Sequence, residues 1–496
     1  MQLKVKNLNL SSGGPLIAVL NEEDVRKLDL LASDRIKIHK ENENIIVAID
    51  LAKSKLIKQG YIGLCEEVVK IFKVKENEIV RISPEPKPLS LQFIKNKLDG
   101  IPLSKREIDE IIKDIVENKL TEVEITYFVS ACYTKGLNLY EAAYLTEAIV
   151  ANGGTLKLNK YPILDKHSIS GIPANRTTMI VVPIIAAAGF TIPKTSTRSI
   201  TSAAGTADVV EVLAPVTFSK DEIKNIVKKT NGCMVWGGAI EIASADDKLI
   251  KIERVLGIDP EGILLASILA KKAAVNATHV IIEIPTGKGT KVEDKKKAKS
   301  LKRKFYQLGK NLGMNAKILI TKGSEPIGNG IGPVLEAIDV LKILQNRKDA
   351  PEKLKEKAIY MASVLLKMVG IRKSYKKAKT ILESGLAYQK FKEIIKAQGG
   401  NPNIQPEQLK IGQFKHEIKA KNSGIIHSID NNLLVKIAKI AGAPKDKGAG
   451  IFLNVHTKHK VQNNDLLFTI YSENKKKLDY LLRVYNPEKA IEIKVE

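Results

Sequence analysis

Two stretches of the chain gather cations and short hydroxyl donors: "KHSISGIPANRTT" (166–178) and "TSTRSITSAAGTAD" (195–208). In the first, Lys166 is a point charge for an anion, Ser168 and Ser170 are hydroxyl donors, and Gly171 lets backbone come close to a ligand. In the second, Arg198 can fork onto a phosphate, with Thr197, Ser199, Thr201, Ser202 and Thr206 around it. The chemistry such residues support is the binding of phosphate groups. Two cradles suit two anions bound at once, whose repulsion calls for nearby cations, and Lys166, Arg198 and Lys291 of "PTGKGTK" supply them. Each cluster alone also reads as a turn with a capped helix, and Lys291 alone as a surface lysine. Neither stretch is a GxxxxGK[ST] loop or a GxGxxG fingerprint.

The elements that must position these loops follow from hydrophobic periodicity. Around them short β-like runs alternate with helical ones: "RTTMIVVPIIAAAGF" (helix), "TIPKTSTR" (strand), "TADVVEVL" (helix), "GCMVWGG" and "THVIIEIP" (strands), "AKSLKRKFYQLGKNLG" (helix), "AKILITKG" (strand), "IGPVLEAIDVL" (helix). That alternation predicts a mostly parallel α/β sheet over 155–420, with both loops between a strand and a helix, where helix N-termini point N–H groups at anions.

Residues 1–86 alternate apolar and polar positions in short runs, "LIAVL", "RIKIH", "NIIVAID", which predicts a small β-rich domain closed by a proline-rich linker, "SPEPKPLS" (83–90). From 87 to 154 the period is helical. "SKREIDEIIKDIVENKL" opens with a capping box, Ser104 to Glu107, and sets Ile108, Ile111, Ile112 and Ile115 on one face. The segment 243–276, with the helix "PEGILLASILAKKAAV", is expected to join this helical lobe. Residues 421–496 read as a C-terminal α+β unit. The fold class is thus multidomain α/β: a β-rich N-terminal domain, a helical lobe, a large α/β lobe with a parallel or mixed sheet, and the C-terminal unit.

Bulk properties exclude several function classes. The 496 residues are 44% hydrophobic and 27% charged, a globular composition, and no long apolar run suggests a signal peptide or a membrane span. Cys65, Cys132 and Cys233 are too scattered for a disulfide framework or a zinc site, which fits a cytoplasmic protein. The net charge of +25 raises the possibility of a nucleic-acid partner. Its distribution argues otherwise: the densest run, 291–313, reads as a solvated helix face over an apolar stripe of Ala298, Leu301, Phe305 and Leu308, and aromatics for base stacking are scarce. His39, His167, His279, His416, His427, His456 and His459 are mostly scattered, and His456 and His459 have no acidic or thiol neighbour in sequence. No metal site is expected.

"DKHSISG" (165–171), "AAAGFTIPKTSTRSITSAAGTAD" (186–208), "GCMVWGG" (232–238), "ADDKLI" (245–250) and "SILAKK" (267–272), in this order, resemble the thymidine phosphorylase superfamily. The "TSTRSITSAAGTAD" form, "IDPEG" (258–262) and the N-terminal "GGPLIAVLNEEDVRKL" look like its archaeal AMP phosphorylases. The resemblance spans essentially the whole chain. It implies a nucleoside phosphorylase/phosphoribosyltransferase-like fold and phosphorolysis of AMP to adenine and ribose 1,5-bisphosphate, with CMP and UMP as further substrates. Phosphate is then a co-substrate, no cofactor is needed, and the chain forms a homodimer or larger homo-oligomer.

Carried over by position, the resemblance assigns AMP contacts to Gly171, Thr197, Arg198, Ser199, Ile200, Thr201, Ser202, Thr206, Ser267 and Lys291. It assigns phosphate contacts to Lys166 and Ser168, a base-side contact to Lys271, and proton donation to Asp259. Read without the resemblance, Asp259 caps the helix that follows it. Three positions depart from the family: Ser170 and Ala174 stand where glycine is usual, and Thr197 where serine is usual. A pyrimidine nucleoside phosphorylase is the alternative within the superfamily, although nucleosides leave the second cradle without a phosphate. A basic nucleic-acid-binding protein on a decayed phosphorylase scaffold is the reading from another class.

Overall fold

The computed structural model describes residues 1–495 except 42, 54, 159, 170–171, 200–201 and 241–243. The chain divides into two compact units, one of residues 1–152 and 244–267, the other of residues 153–243 and 268–496.

In the first unit, six strands close into a barrel, in the order Gln2–Asn7, Tyr61–Leu64, Ile17–Asn21, Glu43–Ala52, Arg35–Lys40, Ile79–Glu85. Alternation explains the burial: Leu3, Val5, Ile36 and Ile38 turn inward, and Lys4 between the first two is exposed. Closure leaves no unpaired edge. The expected linker is shorter than predicted, because Ser83, Pro84 and Glu85 extend the last strand along Arg35–Lys40. Pro84 lies beyond the residues paired to Gln2–Asn7, so its strand has one neighbour there, a place where a missing N–H is tolerated.

The helices of this unit start where the sequence says. Ser104 and Glu107 form the capping box of Lys105–Val116, and Ile108, Ile111, Ile112 and Ile115 are buried. Thr121 with Glu124, and Asn138 with Glu141, repeat the device. Glu141 also accepts from Lys97 at 2.6 Å, a buried ion pair.

In the second unit, Asn315–Lys322, His279–Thr286 and Leu164–Ser168 form a parallel sheet, and Ile192–Ser196 pairs in parallel with Gly232–Trp236. A parallel bridge between Ile163 and Thr191 joins the two sets. Helix Thr177–Ala187 is buried along nearly its whole length and packs in the main core with Pro333–Leu344, Glu352–Met368 and Leu386–Ala397. The lysine-rich helix Lys295–Asn311 buries Ala298, Leu301, Phe305 and Leu308 as predicted and exposes most of its lysines.

The C-terminal region carries two antiparallel sheets and the helices Asn431–Ala441 and Lys475–Val484. One sheet recruits Gly330–Ile331, residues far earlier in the chain, against Gly450–Leu453. Among the described residues no helix is long and apolar enough to cross a membrane.

Candidate active site

Both loops leave the carboxyl ends of neighbouring parallel strands, Leu164–Ser168 and Ile192–Ser196. This is where an open α/β sheet offers its loops to a ligand.

The first loop begins on a buried charge network. Lys166, 1% exposed, donates from Nζ to Thr177 Oγ1 at 2.8 Å and lies 3.2 Å from Glu283 Oε2. Lys357 pairs with the other oxygen of Glu283, which also accepts from Thr321 at 2.9 Å. Burial alone would raise the Glu283 carboxyl, but Lys166 and Lys357 outweigh it and hold it at about 2. Lys166 is therefore a sealed ion-pair partner beneath the loop rather than an open surface cation; burial draws its ammonium pKa down and Glu283 opposes that pull. Just above it, the Ser168 hydroxyl is buried with no hydrogen-bond partner among the described residues, and so is the Thr195 hydroxyl on the neighbouring strand. Buried donors without partners are uncommon, and two at the ends of these strands fit a ligand with acceptor oxygens.

Three further buried groups lie behind this pair. Asp165 is flanked by Lys272 and by Lys194, 3.6 Å away, and Lys194 Nζ also donates to the Lys166 carbonyl at 2.8 Å. Burial pushes the Lys194 ammonium down to about 7, against the pull of Asp165 and with the help of Lys272 and Lys166. An anion arriving nearby would draw the proton back. His167 is held neutral by burial and by the same lysines.

The second loop folds back on itself. Asp208 Oδ2 accepts from the backbone N–H of Ser199 at 2.7 Å and of Gly205 at 2.9 Å, and the Ser202 hydroxyl donates to the Ala204 carbonyl at 2.9 Å. Gly205 is required by this closeness: a Cβ there would meet Ser199 N at 2.6 Å and Thr197 O at 2.7 Å. Arg198 lies over the Trp236 ring at 5.0 Å and sends its fork to Glu211 at 2.7 and 2.5 Å, so the group predicted to grip a phosphate holds a carboxylate in this structure.

Arg176 ties the two loops together. It donates to Thr206 Oγ1 at 3.3 Å and to the Ala204 carbonyl, both in the second loop, and pairs with the buried Glu336. Sequence reasoning passed over Arg176, Lys194, Thr195, Lys272 and Glu283. The only local signal was a charged residue inside an otherwise apolar strand, as at Lys194 in "TIPKT" and Glu283 in "VIIEIP".

The remaining candidates divide. Gly171, Ile200 and Thr201, together with the departure at Ser170, lie outside the described residues. Ala174 adopts φ 59° and is 1% exposed, so it takes the left-handed backbone for which glycine is the usual residue. Lys291 is exposed in a glycine turn after His279–Thr286, and Lys271 is half-buried late in helix Glu261–Ala273. Asp259 and Ser267 belong to the first unit. Ser267 is buried in the same helix, and Asp259 is exposed just before it. The first helical bond there runs from Leu264 N to Pro260 O, which places Asp259 one residue upstream of the usual capping position.

His456, expected to lack an acidic neighbour, has one from across the fold: its Nδ1 lies 3.4 Å from Glu325, and its Nε2 is 2.9 Å from Asn329 Oδ1. Even so, no group of three potential ligands suited to a metal ion occurs among the described residues.

Comparison with known proteins gives this arrangement a family. The chain is 47% identical over 482 residues to the AMP phosphorylase of Thermococcus sibiricus, covering 97% of this chain and 95% of that protein. The chain belongs to the AMP phosphorylase family. The AMP phosphorylases of Thermococcus kodakarensis and Methanocaldococcus jannaschii are similar at 47% and 43% identity, each over 97% of this chain and 95% of theirs. Sequence models match in three blocks: the glycosyl transferase family helical bundle domain at 91–153, its a/b domain at 160–388, and the pyrimidine nucleoside phosphorylase C-terminal domain at 425–494. In fold, this AMP phosphorylase family member is similar to two anthranilate phosphoribosyltransferases. That of Thermus thermophilus gives a TM-score of 0.50 at 16% identity, and that of Saccharomyces cerevisiae 0.51 at 14%; each covers 62% of this chain, and 99% and 98% of the respective structures are matched.

Proposed function

We propose that the protein catalyses phosphorolysis of AMP, with adenine and ribose 1,5-bisphosphate as products, in nucleotide degradation or salvage. The observation that carries this reading is the pair of hydroxyl- and cation-bearing loops at the ends of adjacent strands, tied by Arg176, in a chain of this family. Two adjoining cradles suit a reaction that brings two phosphate groups together: inorganic phosphate and the 5′-phosphate of the nucleotide.

In this reading the first loop takes inorganic phosphate. Ser168 supplies a hydroxyl that has no other partner among the described residues, and Lys166 supplies positive charge from beneath. The second loop takes AMP through Arg198, Thr197, Ser199, Ser202 and Thr206, with Gly171, Ile200, Thr201, Ser267 and Lys291 as further contacts. A phosphate oxygen bonds to the anomeric carbon as the bond to the base nitrogen breaks. Asp259 donates a proton to the ring so that the base leaves neutral, a step worth roughly 10²- to 10⁴-fold. CMP and UMP are proposed as further substrates, a homodimer or larger homo-oligomer as the assembly, and the cytoplasm as the location.

The deciding experiment follows release of free base from AMP with and without phosphate, alongside adenosine, CMP, UMP and thymidine. Release from AMP that requires phosphate is expected. Cleavage of thymidine with none of the nucleotides would instead favour a pyrimidine nucleoside phosphorylase, the enzyme class that gives its name to the domain family matched at 425–494. Asp259→Asn is expected to lower AMP turnover about 100-fold or more with little change in AMP affinity. Turnover equal to wild type would remove Asp259 from the mechanism.

A further inference from the structure

Arg198 stands in a group of four charges whose members are held very differently. Asp208 is fixed: it is 5% exposed at its side chain, and its Oδ2 is committed to two loop N–H groups. Glu211, just past helix Thr206–Val210, is 31% exposed and is held by side-chain cations. Its carboxylate takes Arg198 on both oxygens and, through Oε2, Lys447 of the C-terminal region at 2.8 Å. Lys447 is 35% exposed and also reaches within 3.9 Å of Asp208. The Arg198 fork hydrogen bonds foremost, and the Lys447 bond after them, keep the Glu211 carboxyl at about 2 against partial burial. The guanidinium also lies over the Trp236 ring, 5.0 Å from its centroid, a cation–π contact that does not depend on Glu211.

A phosphate dianion offers a guanidinium fork more charge than one carboxylate does, so it can displace Glu211. Displacement would strand a carboxylate beside a phosphate unless a second cation remained with it. Lys447 is already in contact with Glu211 and is placed to be that cation.

We propose that Glu211 is a positioning residue that holds Arg198 until a 5′-phosphate claims it, and that Lys447 then retains Glu211, so the pair sets how strongly AMP is preferred over adenosine. This rests on the assignment of Arg198 to the 5′-phosphate.

The test is calorimetric binding of AMP and of adenosine to the full chain, without inorganic phosphate, read as the ratio of the two affinities. Glu211→Gln removes the competing charge and is expected to raise the ratio about fivefold, the scale of one partly exposed charge pair. Lys447→Met strengthens the hold of Glu211 on Arg198 and is expected to lower the ratio by about the same factor. The double variant separates two routes: a lysine acting through Glu211 leaves the double at the Glu211→Gln value, whereas a lysine acting directly on the nucleotide lowers it. Movement of both single variants in one direction, no movement in either, or a lowered double would overturn the proposal. Arg198→Ala isolates the premise, since an unchanged ratio in that variant would mean that Arg198 does not bind the 5′-phosphate.

Discussion

The two loops share a recipe in sequence and differ in construction. Lys166 of the first is sealed among Glu283, Thr177 and their neighbours, whereas Arg198 of the second is 36% exposed at its side chain and sends its fork to Glu211, itself 31% exposed. Their carboxylates differ in the same way. Glu211, between two cations, sits at about 2. Asp339, under the first loop, accepts from Asn329 and Gly330 N–H but has no ion-pair partner among the described residues, and burial pushes it up to about 7 against those bonds and the weaker pull of Lys342. A buried cation can shape a loop permanently because removing it strands its partners; an exposed one can exchange partners when a ligand arrives. The first loop is a frame and the second a grip.

The sharpest way to break that contrast is Lys166→Met. With Glu283 left to Lys357 alone, stability is expected to fall by about 3 kcal/mol in urea unfolding. A loss no greater than that of an Arg198 variant would mean that Lys166 is not part of the frame.

An effect of similar size depends on pH. Asp339 holds its proton in the folded chain up to about 7 and releases it near 3.8 when unfolded, so its contribution to stability falls as pH rises between those values and is constant above them. Asp339→Asn keeps an acceptor for the two N–H groups and removes the titration. The variant is expected to match wild type near pH 4 and to exceed it at pH 8 by up to ~4 kcal/mol, read as the difference between the two urea unfolding curves. A difference that does not grow from pH 4 to 8 would refute the assignment.

Arg198→Ala should cost a smaller amount, and only in binding: AMP affinity is expected to drop about 10- to 100-fold relative to adenosine, the worth of charge-assisted hydrogen bonds, with unfolding little changed. Equal losses for both ligands would show that the grip is not on the phosphate. The smallest effect belongs to Ala174→Gly. Relief of the left-handed backbone, worth about 1–2 kcal/mol, is offset by the lost methyl and by the freer unfolded chain. Stability within about 1 kcal/mol of wild type is expected, and a larger loss in thermal or urea unfolding would show that the buried methyl outweighs the strain.

Much of the frame was legible because it is written in local patterns. Ser104 and Glu107 announced a helix start, Ile36 and Ile38 an alternating strand, and the stripe from Ala298 to Leu308 a half-solvated helix. The loops announced themselves by residue type. The proline-rich stretch misled, because Pro84 is a linker signal by composition and a strand residue by pairing. The distant members of the loop charge networks were not legible at all: Glu283, which pairs with Lys166, and Lys357, which shares Glu283 with it, lie 117 and 191 positions beyond Lys166, and Lys447, which shares Glu211 with Arg198, lies 249 beyond Arg198, differences of residue number that no local periodicity spans.

By itself, then, the sequence determined which segments become strands and helices and which two loops carry phosphate-binding chemistry, since periodicity, capping and side-chain type are properties of neighbours along the chain. Only the tertiary structure decided that Lys166 is locked and Arg198 is exchangeable, that Ala174 is strained, and that Arg176 joins the two loops. Those outcomes depend on burial and on charges brought together through space, and the strength of a charge pair is set by the water that the fold removes from around it.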